Sequence, residues 1–228
     1  METSKSAARM IGVLLLAQMI AYWVVNAVLM QPVFAAPGFL ENAATRPTQF
    51  GMAVLIGLAS GALSVGIAIT ALPVFRRYSE AMAYWFLALA VTGFSLVAVE
   101  HINLMSMLSL SQAYASADAA DSDLFQTLRV VVASARNWAH YTGLIVAGSV
   151  ALMLYSALYR FALVPRVLAA FGLIAALLQM TAVAMPLFGH RVVFLMIYPL
   201  GLSHLALAVW LLAKGFAERQ QSASNFRE

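Results

Sequence analysis

Six stretches of the chain are nearly unbroken runs of apolar residues: 10–30, 50–75, 81–112, 125–159, 166–187 and 193–213. Each meets the roughly 20 residues that a helix needs to cross a hydrocarbon core about 30 Å thick. Backbone polar groups inside lipid must be satisfied within the segment or around a closed barrel. None of these runs shows the apolar–polar alternation of a barrel strand, so all six are predicted as helices. The expected fold is an all-α, polytopic bundle of six spans, a single transmembrane domain over residues 1–228. Polar punctuation between the runs is uneven. Arg76-Arg77-Tyr78-Ser79-Glu80 is a short connection, whereas 31–49 and 113–124 are longer and more polar.

Lys and Arg orient such a bundle, because they are retained on the cytoplasmic face. With the N-terminus inside, the inner set is Lys5, Arg9, Arg76, Arg77, Arg160, Arg166, Lys214, Arg219 and Arg227, and the outer set is Arg46, Arg129, Arg136 and Arg191. Nine against four predicts both termini inside. The acidic loop of Asp118, Asp121 and Asp123 then lies outside. Tyr84, Trp85, Tyr155, Tyr159 and Trp210 fall near the inner interface, and Trp138 and Tyr198 near the outer one, in agreement with aromatic belts.

Composition removes other classes. The chain is 63% hydrophobic and 10% charged, against about a quarter charged in soluble domains. Its charge of +4 and pI near 9.6 come from single and paired basic residues at helix ends. No basic stripe with interleaved aromatics is present, so nucleic acid is not an expected partner; the lipid bilayer is. There is no cysteine, hence no disulfide, thiolate metal site or thiol nucleophile. Lys5 and Arg9 ahead of an apolar run, with Val33-Phe34-Ala35 behind it, resemble a signal peptide. The run exceeds the roughly 7 to 15 residues of a secretory core, and Gln18, Tyr22, Trp23 and Asn26 suit a packed helix, so it is read as a retained span. Small residues recur at helical spacing: Gly57 and Gly61, with Ser60 and Ser64 one step round, and Gly143, Ala147 and Ala151. Such stripes let helices approach closely in lipid.

Three stretches carry a family resemblance. They are Ala8-Arg9-Met10-Ile11-Gly12; Gly143-Leu144-Ile145 through Tyr159-Arg160 to Leu163-Val164-Pro165-Arg166; and Leu205 through Trp210-Leu211-Leu212-Ala213-Lys214-Gly215. In order and spacing the chain resembles the bacterial six-helix membrane family termed domain of unknown function 4386. The resemblance implies the same topology and a bacterial cytoplasmic (inner) membrane, and it implies no activity. It also implies an acidic residue late in the third helix, where Glu100 stands. Six residues before the last helix's tryptophan the family tends to carry Glu, and this chain has His204.

Ionisable groups inside a span cost at least roughly 2.5 to 3.5 kcal/mol at the helix centre, so they face the bundle interior or a cavity. At about 1.5 Å per residue, Glu100 lies roughly 28 Å from the inner end of its helix, with Asn103 on the same face at i+3. Arg136 and His140 share a face at i and i+4, with Arg129 two turns earlier and Asn137 adjacent. His140, 19 residues from the inner end of its helix, reaches the depth of Glu100, and Asn26, 17 residues from Arg9, is close to it. Glu100, Asn103, Arg136, His140 and Asn26 are therefore expected to line one outward-opening pocket. His204, 10 residues from Lys214, lies near mid-membrane beyond a break expected at Pro199 and Gly201. His101, turned about 100° from Glu100, and His190, in a loop, are read as incidental. The bland alternative is that Glu100 only fastens two helices through Arg136 or His140, and that His204 is a satisfied interhelical donor.

Three functional classes follow. The first is a protein that binds or helps to transport a small polar or lipid-headgroup ligand, although no internal repeat of the transporter kind is evident. The second is a membrane enzyme, with Glu100 and His140 as acid and base, or with Glu100, His140 and His204 holding zinc; a variant sets haem between two of His101, His140 and His204. No HExxH, GxSxG or glycine-rich phosphate loop supports an enzyme. The third is a structural subunit that docks on a membrane-complex partner or on a second copy of itself.

Overall fold

The computed structural model describes residues 2–117 and 122–217. Asp118 and Asp121 of the acidic loop, and Arg219 and Arg227 of the basic set, lie outside the described residues. Among the described residues there is no strand, and six helices are long and apolar enough to cross a membrane. The chain is thus a multi-pass membrane protein.

The first span is α1 (Glu2–Trp23) continued by a π-helical stretch, Val24–Met30, and a last α-turn, α2 (Gln31–Phe34). A short turn, α3 (Phe39–Asn42), precedes α4 (Pro47–Phe75), α5 (Glu80–Ala115), α6 (Ser122–Arg160), α7 (Arg166–Ala184) and α8 (Tyr198–Ala213). Their limits follow from local chemistry. Pro47 opens α4 at a position whose N–H has no helical acceptor. Ser79 caps α5, its Oγ accepting from the Met82 N–H at 3.3 Å. Gly189 and Gly215 take left-handed φ of +77° and +75° just past helical turns. The break expected at Pro199 and Gly201 falls earlier, in the 189–197 connection: Pro199 sits in the first turn of α8, where it removes no hydrogen bond, and Gly201 continues the helix. The sequence reading also missed α3, which is pinned to the far end of α5. The Ser111 hydroxyl donates to Leu40 O at 2.7 Å and accepts from Ala44 N at 2.8 Å.

Each span packs on its neighbours in the chain, and α8 closes on α1, so the six form a ring with no extensive contact across it. Lys5 lies beside Gly215, and Ala217 N donates to Leu163 O at 2.7 Å; the two ends of the described chain therefore share one face of the ring with the α6–α7 connection. That end is closed by a core drawn from every span, including Ile11, Phe75, Phe86, Leu158 and Leu211. Outward faces carry Ile20, Leu55, Ile102, Val130, Ile174 and Val209, as contact with lipid tails requires.

Without water to exclude, the seams depend on side chains seated in gaps left by small residues. A methyl group on Gly57 would fall on the His101 ring, and one on Gly172 on the ring of Tyr155. Gly57 and Gly61 therefore do mark a tight seam, α4 on α5, with His101 and Phe94 as its knobs. Tyr155 is not a belt residue: it is fully buried in the Gly172 notch, and its hydroxyl donates to Ser203 Oγ at 3.0 Å. Trp210 also turns inward, its Nε1 buried, while Tyr84, Trp85, Tyr159, Trp138 and Tyr198 are exposed as belts require. Gly172→Ala is expected to lower stability by roughly 1 to 3 kcal/mol by overpacking. Gly51→Ala, where nothing stands within 4 Å, is expected to be neutral or stabilising. Thermal unfolding of both variants in the same detergent checks the contrast.

Candidate functional site

The seam between α5 and α6 carries one carboxylate against two nitrogenous side chains. Arg136 and His140, one turn apart on α6, turn the same face toward α5. The Arg136 guanidinium donates through Nη2 to Glu100 Oε1 at 2.8 Å, and His140 Nδ1 lies 2.9 Å from the same oxygen. The side chains keep 13%, 19% and 17% of their exposure for Arg136, His140 and Glu100. A carboxylate acceptor requires the proton on Nδ1, which leaves His140 Nε2 as the free end of the ring. The Phe34 ring covers the Arg136 guanidinium at 5.4 Å, bringing the end of the first span over the pair. Arg136 Nε is buried with no partner.

The other expected members do not join these three. Asn103 is half-buried and donates to Val99 O at 2.9 Å, one turn back on its own helix. Asn26 lies in the π-helical stretch and donates to Tyr22 O at 2.9 Å. Arg129 is half-buried and donates to Gln126 Oε1 at 3.2 Å. His204 donates through Nδ1 to Leu200 O at 2.8 Å and meets Tyr155 edge-on at 5.6 Å. Tyr155 is 15 residues, about 22 Å of helix, from His140, so the two imidazoles stand at different depths. His101 is buried at the α4–α5 seam and bonds to Val97 O at 2.7 Å. The histidines therefore do not converge on one iron, and among the described residues no three His, Cys, Asp or Glu side chains are grouped to hold a metal. The Glu100, His140 and His204 zinc set is not assembled.

Arg136 and His140 also face the inside of the ring. There a cavity of about 690 Å³ is lined from all six spans and from the 192–197 connection, within the roughly 300 to 1,000 Å³ usual for small-molecule sites. Its polar wall at the level of the ion pair is Tyr22, Arg136, Asn137, His140 and Tyr141. Lower down come Gln18, Ser60, Ser64, Gln179 and His204, set among Leu15, Ile67, Phe86 and Leu154. The sequence reading assigned Ser60, Ser64, Ala147 and Ala151 to helix contacts; they line this space. It passed over Gln179, although an isolated amide in the middle of an apolar helix was a visible signal. Gln179 is buried, donates to Leu144 O at 3.2 Å and leaves Oε1 without a partner.

The family described as Domain of unknown function (DUF4386) matches the chain over residues 10–215. No curated protein and no solved structure matches it.

Removing one partner of a shielded ion pair costs more than removing both, because the survivor loses its compensation. Glu100→Ala is expected to lower stability by about 3 kcal/mol, and adding Arg136→Met to it to restore part of that loss. Unfolding midpoints of the two single variants and the double variant in one detergent give the coupling.

Proposed function

The chain belongs to the DUF4386 family, and we propose that it binds, or helps to move, a small polar or lipid-headgroup ligand held in the cavity within its helical ring. The observation that carries this reading is that Arg136 and His140 have one side on Glu100 and the other on the cavity wall. A pair that served only to fasten α5 to α6 has no reason to line a space of ligand size. Glu100 acts behind the wall. It fixes the His140 tautomer and holds the guanidinium in place, which pre-organises both groups for a ligand.

The proposed setting is the cytoplasmic membrane of a bacterium, with both termini inside, as the distribution of Lys and Arg favours. The polar level of the cavity then belongs to the outer half of the membrane and the tight apolar core to the inner half. Ligand access from outside follows from that orientation.

Two experiments test these statements. Because the chain has no cysteine, single replacements report topology without a background. A membrane-impermeant maleimide applied to intact cells should label Thr48→Cys and spare Ala217→Cys until the cells are opened; the reverse pattern inverts the orientation. For binding, native mass spectrometry of the purified protein should show a retained small molecule. The charge-balanced double variant Glu100→Met/Arg136→Met, or His140→Ala, should lose it while staying folded. Equal retention by all three proteins removes the ligand site.

A further inference from the structure

We infer that the ligand is a single-chain amphiphile whose oxyanionic head sits at Arg136 and His140 while its apolar chain runs down the α6 wall toward Leu154; this rests on the binding reading above. The wall is graded along one face of α6. Arg136 and His140 stand at one end, Ala147 and Ala151 in the middle and Leu154 at the other. From Arg136 to Leu154 is 18 residues, or about 27 Å of helix. The cavity of about 690 Å³ is lined at both ends of that stretch, from Arg136 and His140 to Leu154.

Below the head end several side-chain donors are already used within the protein, although Gln179 Oε1 has no partner. Toward the Leu154 end, the His204 Nδ1–H is spent on Leu200 O. In between, Gln18 donates to Ser60 O at 3.4 Å and Gln179 to Leu144 O, with the Gln179 carbonyl oxygen wedged against Gly148. At the head end Arg136 gives one guanidinium hydrogen bond, from Nη2 to Glu100, and its remaining side lines the cavity. An arginine in that position selects an acceptor-rich oxyanion, a carboxylate or a phosphate. The small side chains of Ala147 and Ala151 are what keep the channel wide enough below it. A compact polar ligand would satisfy the head and leave most of the apolar wall without contact.

The test uses the full-length protein in phosphatidylcholine nanodiscs with photoreactive probes carrying a diazirine at the far end of the chain. One probe is a palmitate and one a palmitoyl lysophosphatidylglycerol, with a butyrate analogue as the head-only control. Labelled residues are mapped by peptide mass spectrometry. The long carboxylate or the long phosphate is expected to label the wall around Leu154 and Leu15, and whichever does so identifies the head. Labelling there should fall at least tenfold in Glu100→Met/Arg136→Met and in Ala147→Phe, which narrows the channel. Long-probe labels confined to the outward residues Ile69, Ile174 and Val209 overturn the inference. Butyrate labels near Tyr141 in that same experiment keep the binding reading while the amphiphile fails. If neither long nor short probes label the cavity, both fall.

Discussion

Everything in this protein depends on how helices hold together where there is no water to expel. A soluble bundle gains its cohesion from apolar burial, but lipid tails are as apolar as leucine, so a leucine-rich surface gains little by leaving them. What remains is close steric fit. The rings of His101 and Tyr155, seated where Gly57 and Gly172 have no side chain, supply that fit at two of the ring's seams. At the closed end of the ring, residues from all six spans also meet in one core. Tight seams around the circumference also explain why the interior need not be filled. Once each helix is secured to its two neighbours, nothing requires it to reach across.

Against that background the Glu100, Arg136 and His140 group is an unusual expense. An ion pair shielded from water recovers its desolvation only when geometry and hydrogen bonding are good. Here one carboxylate oxygen takes both contacts at 2.8 and 2.9 Å, while Arg136 Nε is left orphaned. The group is therefore poorly optimised as a fastener. As the back support of two side chains that face a cavity, the same arrangement has a purpose, since Glu100 holds both groups in place from behind.

Much of this was legible in the sequence, for an arithmetical reason. Helices advance by a fixed rise, so counting residues from the basic ends of the third and fourth spans put Glu100 level with His140, and α5 and α6 are adjacent. Depth was recoverable; direction was not. The amides of Asn103 and Asn26 each bond to a carbonyl one turn back on their own helix and do not join the group. Short polar side chains have that local option and Glu does not, which is why the carboxylate reached its partners and the amides did not. The burial of Tyr155 and the seat of His101 depend on glycines of another helix, Gly172 and Gly57. Pairings of that kind are set by the assembled ring and leave no trace in local periodicity.

The π-helical stretch at Val24–Met30 bears on how this arrangement is inherited. A π-turn is in effect an α-helix that has accepted an extra residue, with its hydrogen bonds reaching one position further. Loss of one residue from that stretch would let the first span relax into an uninterrupted α-helix, keeping its length and hydropathy almost unchanged. Everything beyond it would be rotated by about 100°. Phe34 would then be carried away from the Arg136 guanidinium that it now covers. The cover over the ion pair is thus set by residue count as well as residue identity, and a relative could lose it by a single-codon deletion without changing any side chain that touches Glu100.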